Sequence, residues 1–191
     1  MILRFKVQGA RFMRVMVCLV PCALCLVPSG CGYTTRPGLP SHLKTVFVQP
    51  FANRIDLTQL TTTNQRFPLY RHAMEADLTT AVINRFQFTG ILRPASGEKA
   101  DSRLEGELVE FRRDALRYDA SSQVEEWRLS IVVNVHFYDL HTNTLVWNEE
   151  RLTGDTTYFE LGTNAESESQ ALTRAIKDLA RRVVERTVEN W

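Results

Sequence analysis

From Glu126 to Asp139 the chain alternates almost without interruption. Trp127, Leu129, Ile131, Val133, Val135 and Phe137 share one face, and Arg128, Ser130, Asn134, His136 and Tyr138 the other, with Val132 breaking the pattern. A period of two over this length predicts a strand with one buried and one wet face. Leu140 to Thr144 forms a hairpin, and its partner strand starts at Leu145-Val146-Trp147 and continues past Thr153 to Tyr158. Ser102 to Arg113 also alternates, with Leu104, Gly106 and Leu108 in phase; Val109 and Phe111 then take over. A slip of one residue predicts a bulge there, or a strand leaving the main sheet. Asp119 to Gln123 is a polar loop. Nearer the start, Lys44 to Phe51 reads as a strand ended by Pro50. The polar, threonine-rich stretch Arg54 to Arg66 reads as a long loop.

Two segments carry the helical period instead. Met74, Leu78, Val82 and Phe86 recur every fourth residue, with Tyr70 in phase before them. A helix from Phe67 to Phe86 follows, with Pro68 at its first turn and Gly90 closing it. Ile91-Leu92 is a candidate short strand. Near the end, Leu172, Ala175, Ile176, Leu179, Ala180, Val183 and Val184 form one stripe, and Ser167 and Gln170 stand before it at capping-box spacing. The order is β-α-β-β-β-α. The expected class is α+β, a two-layer sandwich with two helices on one face of a four-stranded mixed sheet. The sheet's other face has no helix left to cover it, so solvent or a partner must.

The first 30 residues follow a different pattern. Arg4, Lys6, Arg11 and Arg14 precede an apolar run from Val15 to Val27, and Ser29-Gly30 lead into Cys31. Such a run suits a signal-peptide core and is too short to span a bilayer. The order predicts a lipoprotein signal over residues 1–30, with Cys31 as the acylated first residue of the mature chain, bearing diacylglycerol and a fatty acid. Pro28 departs from the leucine usual at that place, and an ordinary secretory signal with a plain Cys31 thiol is the rival reading. Residues 31–43, with Pro37, Gly38 and Pro40, form a lipidated tether, and residues 44–191 a single α/β domain.

Charge and cysteine content narrow the function. Of 23 basic residues the signal takes four and no acidic one, so the mature chain holds 19 against 22, a net charge of −3. That excludes a general nucleic-acid binder. Cys18, Cys22 and Cys25 leave with the signal, so the mature chain has neither an intrachain disulfide nor a cysteine metal cluster. His42, His72, His136 and His141 lack metal-ligand spacing, and no phosphate loop or nucleophile elbow is present. The expectation is a non-enzyme without cofactor or metal. Two groups are candidate contact surfaces. One is Phe111-Arg112-Arg113 with Arg117-Tyr118, for contact with an acidic or phosphorylated partner, since arginine's fork suits carboxylate and phosphate. The other is the wet face around Arg128, Asn134, His136 and Tyr138.

Several pieces together carry a resemblance. Cys31-Gly32-Tyr33 opens the mature chain, Val46-Phe47-Val48-Gln49-Pro50-Phe51-Ala52-Asn53 follows, Ala100-Asp101-Ser102-Arg103-Leu104-Glu105-Gly106 begins the middle sheet, and Ala171-Leu172 and Asp178-Leu179-Ala180 mark the last helix before Trp191. In this order and spacing they resemble the lipopolysaccharide-assembly lipoprotein family, LptE. The resemblance implies an outer-membrane lipoprotein, lipid-anchored on the periplasmic side. It implies two helices on a four-stranded mixed sheet, and a role as plug and folding aid of the β-barrel LptD in lipopolysaccharide transport to the cell surface. Lipopolysaccharide is then a further candidate partner, with Arg112, Arg113, Arg117 and Arg151 the candidate contacts. The loop Tyr118-Asp119-Ala120-Ser121-Ser122, where the family places a basic contact, has none. The alternative from another class is a lipoprotein that activates a periplasmic synthase or joins a secretion assembly, whose families also end a strand in Pro-Phe-x-Asn, as Pro50 to Asn53 do.

Overall fold

The computed structural model describes residues 39–55 and 73–189. Residues 1–30, read above as a signal, and Cys31, Pro68, Tyr70, His72 and Trp191 lie outside them. The elements are β1 (Thr45–Val48), β2 (Ala52–Asn53), α1 (Met74–Thr89), β3 (Arg93–Pro94), β4 (Ser102–Tyr118), β5 (Val124–Asp139), β6 (Thr144–Phe159) and α2 (Glu168–Glu189). The class is α+β with two helices and a mixed sheet. The sheet has six strands among the described residues rather than four, in the order β3-β1-β4-β5-β6 with β2 beside β4. The two additions are strands of two residues each, too short to show a period. β3 starts two residues later than the Ile91-Leu92 pair, because Leu92 is buried in the core while Arg93 lies opposite Thr45.

β1 runs parallel to β3 and β4, and β4, β5 and β6 form an antiparallel meander. The β4–β5 register shifts between Leu108 and Glu110, where the alternation slipped. β4 continues to Tyr118, five residues beyond Arg113.

Each helix owes its ends to local chemistry. Gly90 closes α1 in a left-handed conformation (φ 67°), its N–H donating to the Phe86 carbonyl at 3.0 Å. The Phe51 N–H donates to Thr79 Oγ1 at 3.0 Å, which ties α1 to the chain leaving β1. α2 starts with a reciprocal capping box: the Gln170 N–H donates to Ser167 Oγ and the Ser167 N–H to Gln170 Oε1.

The core lies between the sheet and the two helices. Val46, Val48, Leu129, Ile131 and Val133 meet Met74, Leu78 and Val82 of α1, and Leu172, Ile176, Leu179 and Val183 of α2, all buried. The expected helix and strand stripes are therefore the buried faces. Among the described residues no helix is long and apolar enough to cross a membrane.

Candidate partner-facing site

The sheet face away from the helices is a ladder of polar side chains. The bulge at Val109 decides which residues belong to it. Counting from Glu110, every second residue of β4 faces outward: Glu110 opposite Val132, Arg112 opposite Ser130, Asp114 opposite Arg128. Phe111 and Arg113, opposite Ile131 and Leu129, face the helix layer instead. Arg112 and Arg113, adjacent in sequence, thus serve different sides.

Arg113 is held on the helix side. Its guanidinium reaches Glu168 at 2.7 Å and Glu160 at 3.2 Å, and lies 3.7 Å from the centre of the Trp127 ring. Trp127 Nε1 donates to the same Glu160. Glu168 also takes the Tyr158 hydroxyl, whose pKa burial pushes up to about 12. With its side chain 21% exposed, Arg113 cements the start of α2 to the sheet.

Arg112 and Arg151 share the open face. Glu110 joins them, 3.4 Å from Arg112 and 2.6 Å from Arg151. Arg151 sits in a second bulge, between the Val133–Leu152 and Val135–Glu149 pairs. Its φ is 59°, a left-handed conformation that costs a β-carbon residue on the order of 1 kcal/mol. The Asn134 side chain supports this turn, Oδ1 accepting the Arg151 N–H at 2.9 Å. Arg151→Gly should therefore leave the thermal midpoint unchanged or slightly higher, because relief of the backbone offsets loss of an exposed ion pair worth less than about 1 kcal/mol. A fall of several degrees would show that the Glu110 bond holds the sheet.

Arg117 stands apart from both. It is at the far tip of β4, 3.5 Å from Glu126 and 5.7 Å from the centre of the Phe159 ring. Tyr118 beside it is 60% exposed. The four candidate arginines therefore occupy three places. Two form the open-face pair, one braces the helix and one marks the tip.

Part of the face read as wet is closed. Ser130 and Val132 point outward yet are only 2% and 1% exposed. Ser130 lies between Arg112 and Asp155, and Val132 between Glu110 and Thr153. These long and branched neighbours shield the central strand.

At the opposite end of the sheet the structure gathers a group that the sequence scatters. His42 Nε2 is 2.7 Å from Asp139 Oδ2, His141 Nε2 is 3.0 Å from Asp101 Oδ1, and the two imidazoles meet edge to face at 5.5 Å. Asp101 also accepts from the Lys44 and Thr45 N–H groups and from Thr45 Oγ1. His141, the Thr45 hydroxyl and the Lys44 N–H hold its carboxyl well below the usual carboxylate range. The group fastens the chain arriving from Leu39 to the starts of β1 and β4 and to the β5–β6 hairpin. No local signal marks it, since its partners lie 97 and 40 residues apart. Leu43 is buried with it, and Leu39 packs against the core.

A family model described as LptE, lipopolysaccharide-assembly, matches residues 43–187. Among solved structures, protein XCC0632 from Xanthomonas campestris shares the fold with a TM-score of 0.53 at 15% identity, covering 80% of this chain and 88% of that one. A minor lipoprotein from Acinetobacter baumannii is similar at a TM-score of 0.47 and 17% identity, covering 78% of this chain and 94% of its own. Rare lipoprotein B from Shewanella oneidensis is similar at 0.38 and 12%, covering 75% and 92%. Comparison with curated proteins gives no match.

Proposed function

The chain belongs to the LptE family of lipopolysaccharide-assembly proteins, and we propose that it works there as an outer-membrane lipoprotein, acylated at Cys31, that fills the lumen of the β-barrel LptD from the periplasmic side. It acts as a stoichiometric subunit, not as a catalyst. The observation that carries this reading is the helix-free sheet face. The charges around its central bulge are paired within the chain: Arg112 with Glu110 and Asp114, and Arg151 with Glu110. A barrel interior is polar and wet. A plug for it needs a polar skin, and one whose ions already have partners avoids the cost of confining bare charge. On this reading Arg112 and Arg151 exchange these partners, and Arg117 exchanges Glu126, for barrel carboxylates or lipopolysaccharide phosphates.

Depletion of the protein should lower the amount of correctly assembled barrel and make the outer membrane leaky to bulky apolar drugs. Intact assembly and permeability under full depletion would end the plug reading. Arg112→Glu with Arg117→Glu should weaken the barrel complex or lipopolysaccharide binding while circular dichroism stays unchanged. Cys31→Ala should release the folded domain from the membrane fraction, and mass spectrometry of the mature chain should find the two lipid modifications on Cys31.

A further inference from the structure

The turn that ends α1 is an apolar corner on an otherwise polar helix side. Phe88 is 80% exposed and Ile91 40%. The other exposed positions of α1 include Asp77, Thr80, Asn84 and Gln87. The Arg85 guanidinium lies 5.3 Å from the centre of the Phe88 ring and is itself tied to Glu185 of α2 at 3.4 Å. The corner is therefore braced, with the phenyl group presented outward.

Its position is set by the sheet. The Arg93 N–H donates to the Lys44 carbonyl at 2.9 Å, and Arg93 lies opposite Thr45 in the parallel β1–β3 pair. The last turn of α1 thus shares one end of the domain with residues 42–44, close to where the described chain begins. Lys44 and Arg93, both exposed, stand beside it. Of the carboxylates near that end, Asp101 and Asp139 face inward onto His141, His42 and backbone N–H groups, and exposed Glu98 is offset by its neighbour Lys99. The first described residue, Leu39, follows Cys31 by eight positions, a span of at most roughly 27 Å when extended.

We propose that this corner is a bilayer-contact site: Phe88 and Ile91 enter the headgroup–acyl boundary of a phospholipid membrane, and Lys44 and Arg93 meet its phosphates. The proposal rests on the lipid anchor at Cys31 given above. Two apolar side chains bind a bilayer weakly on their own. A tether this short raises their effective concentration to the millimolar range, where weak contacts are occupied. An aromatic ring suits the interface, and the neighbouring cations suit its anionic layer. Docked in this way, the domain lies with its tether end down and the Arg117–Tyr118 tip turned away from the membrane, before any barrel is engaged.

The test supplies the anchor chemically, so that its outcome does not depend on native acylation. The mature chain is coupled through Cys31, the single cysteine of residues 31–191, to a maleimide phospholipid. The vesicles are phosphatidylethanolamine with a minority of phosphatidylglycerol, doped with lipid brominated near the headgroup. Phe88→Trp and Ile91→Trp report on the corner and Tyr118→Trp on the far tip, each read as the increment over the three native tryptophans. The added emission at positions 88 and 91 should shift to the blue and lose about half its intensity to the bromines, whereas that at 118 should do neither. Phe88→Ser made together with Ile91→Trp should bring the quenching at position 91 down severalfold. Solvent-like, unquenched emission at both 88 and 91 in the anchored chain would overturn the proposal. Mass spectrometry of the native protein tests the anchor separately.

Discussion

Ile131→Asp should abolish the fold. Ile131 is completely buried at the centre of β5, opposite Phe111 on one side and Gly154 on the other. The residues opposite it, Phe111 and Gly154, offer a carboxylate no side-chain donor. Burying an unpaired charge, or holding it protonated, costs several kcal/mol, on the order of the whole stability of a domain of this size. The variant should show a collapsed circular dichroism signal or no cooperative melt. Ser130→Asp is the matched control one residue away, on the other face. That position is not the solvated site its alternation implies, because Arg112 and Asp155 flank it and leave it 2% exposed. The new carboxylate gains Arg112 and is repelled by Asp155, so a loss of about 1–2 kcal/mol is expected. Urea melts separate the two outcomes. Equal damage at 130 and 131 would mean that the strand is in the other register.

The contrast between these neighbours shows what was legible in the sequence. Periodicity alone identifies the buried face of β5 and the stripes of both helices, because one-sided burial forces a repeat on every residue in contact with the core. The capping box at Ser167 and the glycine at position 90 were readable for the same reason: each is a local hydrogen-bonding device with a fixed spacing. Adjacent strand residues always diverge, and the slip after Leu108 was the signal for which of Arg112 and Arg113 faces outward. Counting the alternation onward from Glu110 puts Arg112 outward and Arg113 toward the helices, and only grouping them by charge obscured it. Ser130 was illegible because shielding by cross-strand arginine and aspartate depends on register between strands, which a single strand does not encode. The His42–Asp139 and His141–Asp101 pairs, and the brace of Arg113 on Glu160 and Glu168, depend on distant segments meeting and leave no spacing to find. The left-handed Arg151 is similar, since its turn is bought by the Asn134 side chain of the neighbouring strand.

Gly154 is the second position where a small change should have a large effect, and nothing in its sequence neighbourhood marks it. It faces the helix layer of β6 where α2 crosses most closely. A β-carbon placed there would come within 2.4 Å of Leu179 Cβ and 2.8 Å of Leu179 Cα and N. Two of those atoms are helix backbone, so no rotamer change relieves the contact. Gly154→Ala must push α2 away from the sheet, and that opens the layer holding Ala175, Ile176 and Val183. Overpacking of this kind costs about 3 kcal/mol, or roughly 10 °C in the melting midpoint of a domain this size. Gly97→Ala gives the scale for a harmless change. Its β-carbon would rest 3.5 Å from the Phe47 ring, an ordinary contact, and the midpoint should move by no more than a degree or two. Leu179→Ala does not rescue Gly154→Ala, because the clashing atoms remain. If Gly154→Ala melts with the unsubstituted protein, α2 packs on β6 more loosely than the close approach at Leu179 requires.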